Sequence, residues 1–167
     1  MRFFFFGSLL DADVLALVIG RHLAARAWAP ASLDGYVRAL SALESYPVIV
    51  ARPGGRVDGA LVRGLSAADR ARIAWFEEGE YEVTPVTVTL DGGRRIAAHA
   101  CITHPDHPVR VGEWSLARWR REAKPGFMVR TRAWMDLYGR ATPAEAEAAW
   151  QALMEKPVGG STRRLGT

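Results

Sequence analysis

Cysteine occurs once in the 167 residues, as Cys101, so no internal disulfide can form and the chain suits a reducing compartment. Long apolar runs are missing too. Phe3 to Phe6 and Val14 to Ile19 are the longest, against the roughly 20 residues that a membrane span needs. The few apolar residues behind Met1-Arg2 are too short for the core of a secretory signal, so the sequence predicts a cytoplasmic protein with no membrane partner. No phosphate loop, dinucleotide fingerprint or nucleophile elbow occurs, which sets aside three large enzyme groups. Charge of one sign is scarce as well: 22 Lys and Arg stand against 18 Asp and Glu, a net charge of +4. The basic clusters Arg118-Arg120-Arg121, Arg130-Arg132 and Arg163-Arg164 have acids between them and no aromatic stacking pattern on a neighbouring basic strand. Nucleic acid is therefore not the expected partner.

What remains is an ordinary globular composition, 49% hydrophobic and 24% charged, without repeats or a long low-complexity linker. A single domain over residues 1–155 is expected, with helices from about residue 113 and a disordered tail, "KPVGGSTRRLGT". Four consecutive phenylalanines suit a central strand buried on both faces. Asp11 is placed to cap a helix over Ala12 to Ile19, with Gly20 as its stop. Arg52-Pro53-Gly54-Gly55 reads as a hairpin turn between Val48 to Ala51 and Val57 to Leu65. Ser66 and Asp69 form a capping box for a helix running to about Glu78, stopped by Gly79. Val86, Val88 and Leu90 alternate along a strand in which Pro85 marks a bulge or an edge. Asp91-Gly92-Gly93 then turns the chain into a second strand, Ile96 to Ile102. Helices follow over Ser115 to Glu122, over Phe127 to Leu137, and beyond a Thr142 cap with Pro143 in first position. Strands joined by hairpins, with few helices between, predict a mixed α+β fold whose roughly six strands curl into a small closed barrel.

Three groups of side chains invite a chemical reading. His99, His104 and His107 with Asp106 could be imagined around a metal. "THPDHP" is better explained as a proline-stiffened loop, and no cysteine or glutamate completes a known ligand spacing. No metal and no cofactor are expected. Cys101, in mid-strand without a basic neighbour, reads as a small buried residue. Trp114, Trp119, Trp134 and Trp150 read as packing of the helices on the sheet, and Arg118-Trp119-Arg120-Arg121 as a solvated face. "IAWFEEGEY" stands apart, because Ile73, Trp75 and Phe76 lead straight into Glu77, Glu78 and Glu80 at a helix end. Glu77, directly after a large aromatic, is the acid most readily drawn toward the core. Desolvation there would raise its pKa toward the range of a working proton acceptor. The three acids could equally be solvated side chains on a fraying helix end.

Order and spacing decide between these readings. Phe6-Gly7-Ser8-Leu9-Leu10 follows the first strand. Asp34-Gly35-Tyr36, Tyr46-Pro47 and "VDGALVRGLS" come next, and then "WFEEGEYEVTPVTV" ahead of a hairpin. Over roughly residues 1 to 138 this resembles the γ-glutamylcyclotransferase-like superfamily, close to its plant avirulence-induced-gene branch, which carries a comparable helical extension. The resemblance implies a small mixed barrel flanked by helices, without metal or cofactor. It also implies a small γ-glutamyl amide or amine as substrate, converted to 5-oxoproline and a free amine. Glu77 matches the catalytic acid/base in the family's Phe-Glu-Gly motif. Phe6, Gly7, Ser8 and Leu9 match its Tyr-Gly-Ser/Thr-Leu loop, whose backbone N–H groups hold the glutamyl part. Phe6 stands where that loop has tyrosine, Glu78 where the motif has glycine, and Cys101 where a tyrosine is often found on the last hairpin strand. Those departures keep a second reading in play, a non-catalytic module on the same barrel that binds small carboxylates. A monomer is the expected state.

Overall fold

The computed structural model describes residues 1–43, 45–77, 81–110 and 112–154. Its elements run β1 (Arg2–Phe5), α1 (Ala12–Ile19), β2 (Trp28–Ser41), β3 (Pro47–Arg63), α2 (Ala67–Phe76), β4 (Tyr81–Leu90), β5 (Arg95–Thr103), β6 (Val109–Arg110), α3 (Leu116–Glu122), α4 (Lys124–Met135) and α5 (Pro143–Met154). The sheet order β3-β1-β5-β4-β2, with β2 pairing back onto β3, closes a five-stranded barrel; β6 adds a sixth strand outside the ring, on β2. The expected α+β barrel is present, with one strand fewer in the ring than in the sheet.

β1 is the central support. It pairs antiparallel with β3 (Phe3 opposite Val62) and parallel with β5 (Phe3 opposite His99). Its alternating side chains enter two different cores. Phe4 and Phe6 join Leu33, Ile49, Val57 and Leu61 in one cluster, while Phe3 and Phe5 join Val14, Val18, Ile73 and Trp119 beneath the helices. Phe3 and Phe4 are fully buried. Each such side chain contributes about 1.5–3 kcal/mol relative to exposure, which is why the chain uses four phenylalanines where one face of a strand would need two. The backbone itself packs tightly here: a Cβ at Gly59 would lie 2.2 Å from the Phe5 carbonyl oxygen, so β3 can approach β1 only with glycine at that position.

Local signals set most element ends. The Asp11 side chain accepts from the N–H groups of Asp13 and Val14, and Gly20 closes α1 in the left-handed region at φ 76°. Ser66 and Asp69 form the capping box of α2, and Asp69 is further held by Arg21. Thr142 and Glu145 bond reciprocally at the start of α5. One reading is corrected by the structure. Arg52-Pro53-Gly54-Gly55 is no hairpin turn: β3 runs through it, and the register against β2 shifts there, from Asp34 opposite Arg56 to Tyr36 opposite Ala51. The turn residues serve an excursion within a paired strand. Pro85, in contrast, sits in unbroken register opposite His99, and β4 meets β2 only at Thr89 and Leu90, so the proline occupies a stretch with one neighbouring strand. The proposed helix stop at Glu78-Gly79 and the 156–167 tail lie outside the described residues.

Candidate active site

Beyond Phe5 the chain leaves the sheet and folds into a 3-10 turn, Ser8–Leu10. The Gly7 carbonyl accepts from the Leu10 N–H at 2.9 Å, and the Ser8 carbonyl from the Asp11 N–H at 3.0 Å. The opening N–H groups of any helical turn have no partner within it. Among the described residues, no backbone carbonyl accepts from the N–H groups of Gly7, Ser8 or Leu9. Arg38 fixes the entry to this turn: its Nε donates to the Phe6 carbonyl at 3.1 Å and its Nη2 to the Asp58 carbonyl at 2.5 Å, with the guanidinium over the Trp114 ring. Burial pulls the Arg38 pKa down from its ordinary value, with the Asp58 charge acting the other way.

Glu77 caps the C-terminal end of α2. Its N–H donates to the Ile73 carbonyl at 3.0 Å, and its carbonyl accepts from the Tyr81 N–H at 3.2 Å, so its backbone is held from both sides. Glu77 and the turn Gly7-Ser8-Leu9 line one cavity of about 170 Å³. Cys101, behind them on β5, is 4% exposed; burial first, and then the Glu77 carboxylate, push its thiol well above the ordinary value. It is a neutral wall residue, as its sequence setting suggested. Phe6 also borders the cavity, though its ring is 6% exposed and packs 6.4 Å from that of Phe4. Its carbonyl, fixed by Arg38, is what reaches the turn. Glu78 and the fallback acid Glu80 lie outside the described residues.

Sequence reasoning missed a second set. Tyr46, Pro47 and Tyr81 close one side, with the Tyr81 hydroxyl 3.5 Å from the Pro47 carbonyl. Arg130, Thr131 and Trp134 come from α4, and Glu147 and Trp150 from α5. The tryptophans do pack helices, as expected, and two of them also face the cavity. Arg118-Trp119-Arg120-Arg121 is not a simple solvated face, because Trp119 is 3% exposed and Arg120 pairs with Asp11 at 2.7 Å. The four-then-three spacing of Phe127, Thr131 and Trp134 would have put them on one face of a helix. The histidines do not converge. His99 packs against Phe3 at 5.5 Å, while His107 lies 3.0 Å from the Ser41 hydroxyl. Among the described residues no group of three His, Cys, Asp or Glu side chains is placed to hold a metal ion, and no helix is long and apolar enough to cross a membrane.

Comparison with known proteins places the chain by family and fold. The family model described as "Gamma-glutamyl cyclotransferase, AIG2-like" matches residues 3–120. Protein AIG2 C of Arabidopsis thaliana is 31% identical over 119 residues, 70% of each chain. AIG2-like protein C of the same plant is 26% identical over 138 residues, 80% of this chain and 77% of its own. Two solution structures of Arabidopsis thaliana proteins superpose with TM-score 0.59. One, 24% identical, covers 85% of this chain and 93% of its own; the other, 25% identical, covers 96% and 94%. With that family model over most of its length and a relative 31% identical, the chain belongs to the γ-glutamyl cyclotransferase, AIG2-like family.

Proposed function

We propose that the protein converts a small γ-glutamyl amide or amine to 5-oxoproline and a free amine, with Glu77 as proton carrier. One observation carries this reading above the others: Glu77 and the turn Gly7-Ser8-Leu9 border the same small cavity. The α-ammonium of the substrate loses a proton to Glu77. The resulting amine attacks the γ-carbonyl carbon, a C–N bond forms and the ring closes. The bond to the departing nitrogen then breaks as Glu77 returns the proton to it. The attacking nitrogen's second proton passes to the freed amine, which leaves as an ammonium while the ring keeps one N–H. Atoms balance without water, oxidant or metal, and a single carboxylate serves both transfers. Ring closure is intramolecular, so holding the glutamyl chain bent supplies much of the acceleration. The backbone N–H groups of Gly7, Ser8 and Leu9 are suited to an anionic or developing oxyanionic group of that chain. Incubation with a panel of γ-glutamyl compounds and assay of released 5-oxoproline tests the reading. Binding of 5-oxoproline without any turnover would instead favour the carboxylate-binding module, the reading that the buried, hydroxyl-free Phe6 supports.

Gly7 gives a second test. Its backbone, at φ −130°, is not in the glycine-only region, so conformational strain is not the reason for the residue. Space is. A Cβ at Gly7 would lie 3.1 Å from Cγ and 3.3 Å from Cδ of Pro47, within the cavity wall. Gly7→Val must displace either Pro47 or the turn and should weaken 5-oxoproline binding about tenfold, roughly 1.4 kcal/mol. Ser8→Ala keeps its backbone donor and should cost less. Calorimetric titration of both folded variants decides the point; wild-type affinity in Gly7→Val would move the pocket elsewhere.

A further inference from the structure

Residues beyond 120 lie outside the stretch that the family model matches, yet α4 and α5 supply a whole wall of the cavity. That wall is aromatic. Phe127 meets Phe76 edge-on at 6.2 Å, and Trp150 meets Trp134 edge-on at 5.9 Å. Trp134 is itself anchored, its indole N–H donating to the Trp75 carbonyl at 3.0 Å. Arg130 and Glu147 border the same space with opposite charges, so the wall has no net sign by which to select an ion.

We infer that the α4–α5 wall is the subsite for the departing amine and selects γ-glutamyl amides of arylalkyl amines over those of small alkyl amines. The inference rests on the cyclotransferase reading above. The interior, about 170 Å³, is of the size that holds one ring-sized molecule, about 150 Å³ for benzene. A glutamyl group bent beside the Gly7-Ser8-Leu9 turn fills it. The amine portion is then directed outward, toward the rim marked by exposed Glu147 and half-buried Trp150. There the surfaces on offer are ring faces and edges, which reward a flat apolar partner and give a methyl group little to touch.

The test compares kcat/KM for γ-glutamylbenzylamide and γ-glutamylmethylamide in wild type and in Trp150→Ala. Wild type should favour the benzylamide by about tenfold, the low end of what a filled apolar pocket discriminates. Trp150→Ala should cut that ratio at least fivefold. Trp150→Leu, which keeps apolar bulk without the ring, should cut it similarly and guards against a variant that fails to fold. Equal turnover of both amides by wild type, or an unchanged ratio in a folded Trp150 variant, overturns the inference while leaving the cyclotransferase reading intact. No 5-oxoproline from either amide, or from any other γ-glutamyl compound, removes that reading and the inference with it.

Discussion

Glu77→Gln should reduce 5-oxoproline release by about 10²–10⁴-fold, the contribution expected of a positioned proton carrier. Glutamine has the size and shape of glutamate and can keep a hydrogen bond, but its amide cannot take a proton from an ammonium. The position is set by main chain, through the bonds of Glu77 to Ile73 and Tyr81, so the variant should melt within a few degrees of wild type. Binding of 5-oxoproline should persist, because the N–H groups of the turn are untouched. Glu80→Gln is the matched comparison. If it silences the protein while Glu77→Gln retains wild-type turnover, the acid has been assigned to the wrong residue.

Asp11→Ala should be strongly destabilising, at about 3–5 kcal/mol if the site behaves as a broken buried ion pair, and nearer 2 kcal/mol if water reaches the cations left behind. The Asp11 side chain is 2% exposed, caps α1, and meets Arg120 at 2.7 Å and Lys124 at 2.8 Å. Removing the cap alone costs about 1 kcal/mol. Burial opposes ionisation of Asp11, but hydrogen bonds from Lys124 and Arg120 and from the Val14 N–H outweigh it and hold the pKa below its ordinary 3.8. A carboxylate with a folded pKa below its unfolded one stabilises fully above the unfolded value and loses that contribution as pH falls through the folded one. The difference between wild type and Asp11→Ala in urea melts should therefore be constant above about pH 5 and shrink below 3.8. An undiminished difference at pH 2.5 would show that the lost stability is not electrostatic.

Features that depend on a few adjacent residues were legible in the sequence. Asp11 before Ala12–Ile19, the Ser66–Asp69 box, and Thr142 before Pro143 each specify a helix start through a side chain and an N–H two or three residues away, and distant contacts did not override them. The Phe run announced burial on both faces, and the structure assigns one face to each core. Arg52–Gly55 differs from the turn expected there because proline and glycine permit a turn without dictating whether the strand reverses; the pairing of flanking Ala51 with Tyr36 and of Arg56 with Asp34 decides that. Arg38 and the α4–α5 wall were not legible for the same reason. Nothing beside Arg38 in sequence points to the Phe6 carbonyl, and Trp150 acquires its role only where α5 crosses Trp134. Glu77 could be singled out because its aromatic neighbour and its place at a helix end are local.

The position of β1 between β3 and β5 has a consequence for biosynthesis. Phe3 needs Val62 on one side and His99 on the other, so both of its ladders join residues far apart in the chain, and such pairings form slowly. During translation at about 5–20 residues per second, Phe3 to Phe6 emerge seconds before β5 exists to cover their second edge. For that interval the ribosome presents a short aromatic strand with an open hydrogen-bonding edge, the kind of segment that recruits chaperones or other nascent chains. The Asp11 side chain beside the turn that follows β1 likewise waits for its partners Arg120 and Lys124 on helices made later still. A complete cavity should thus arrive late in synthesis, and no released fragment ending before α4 should have it.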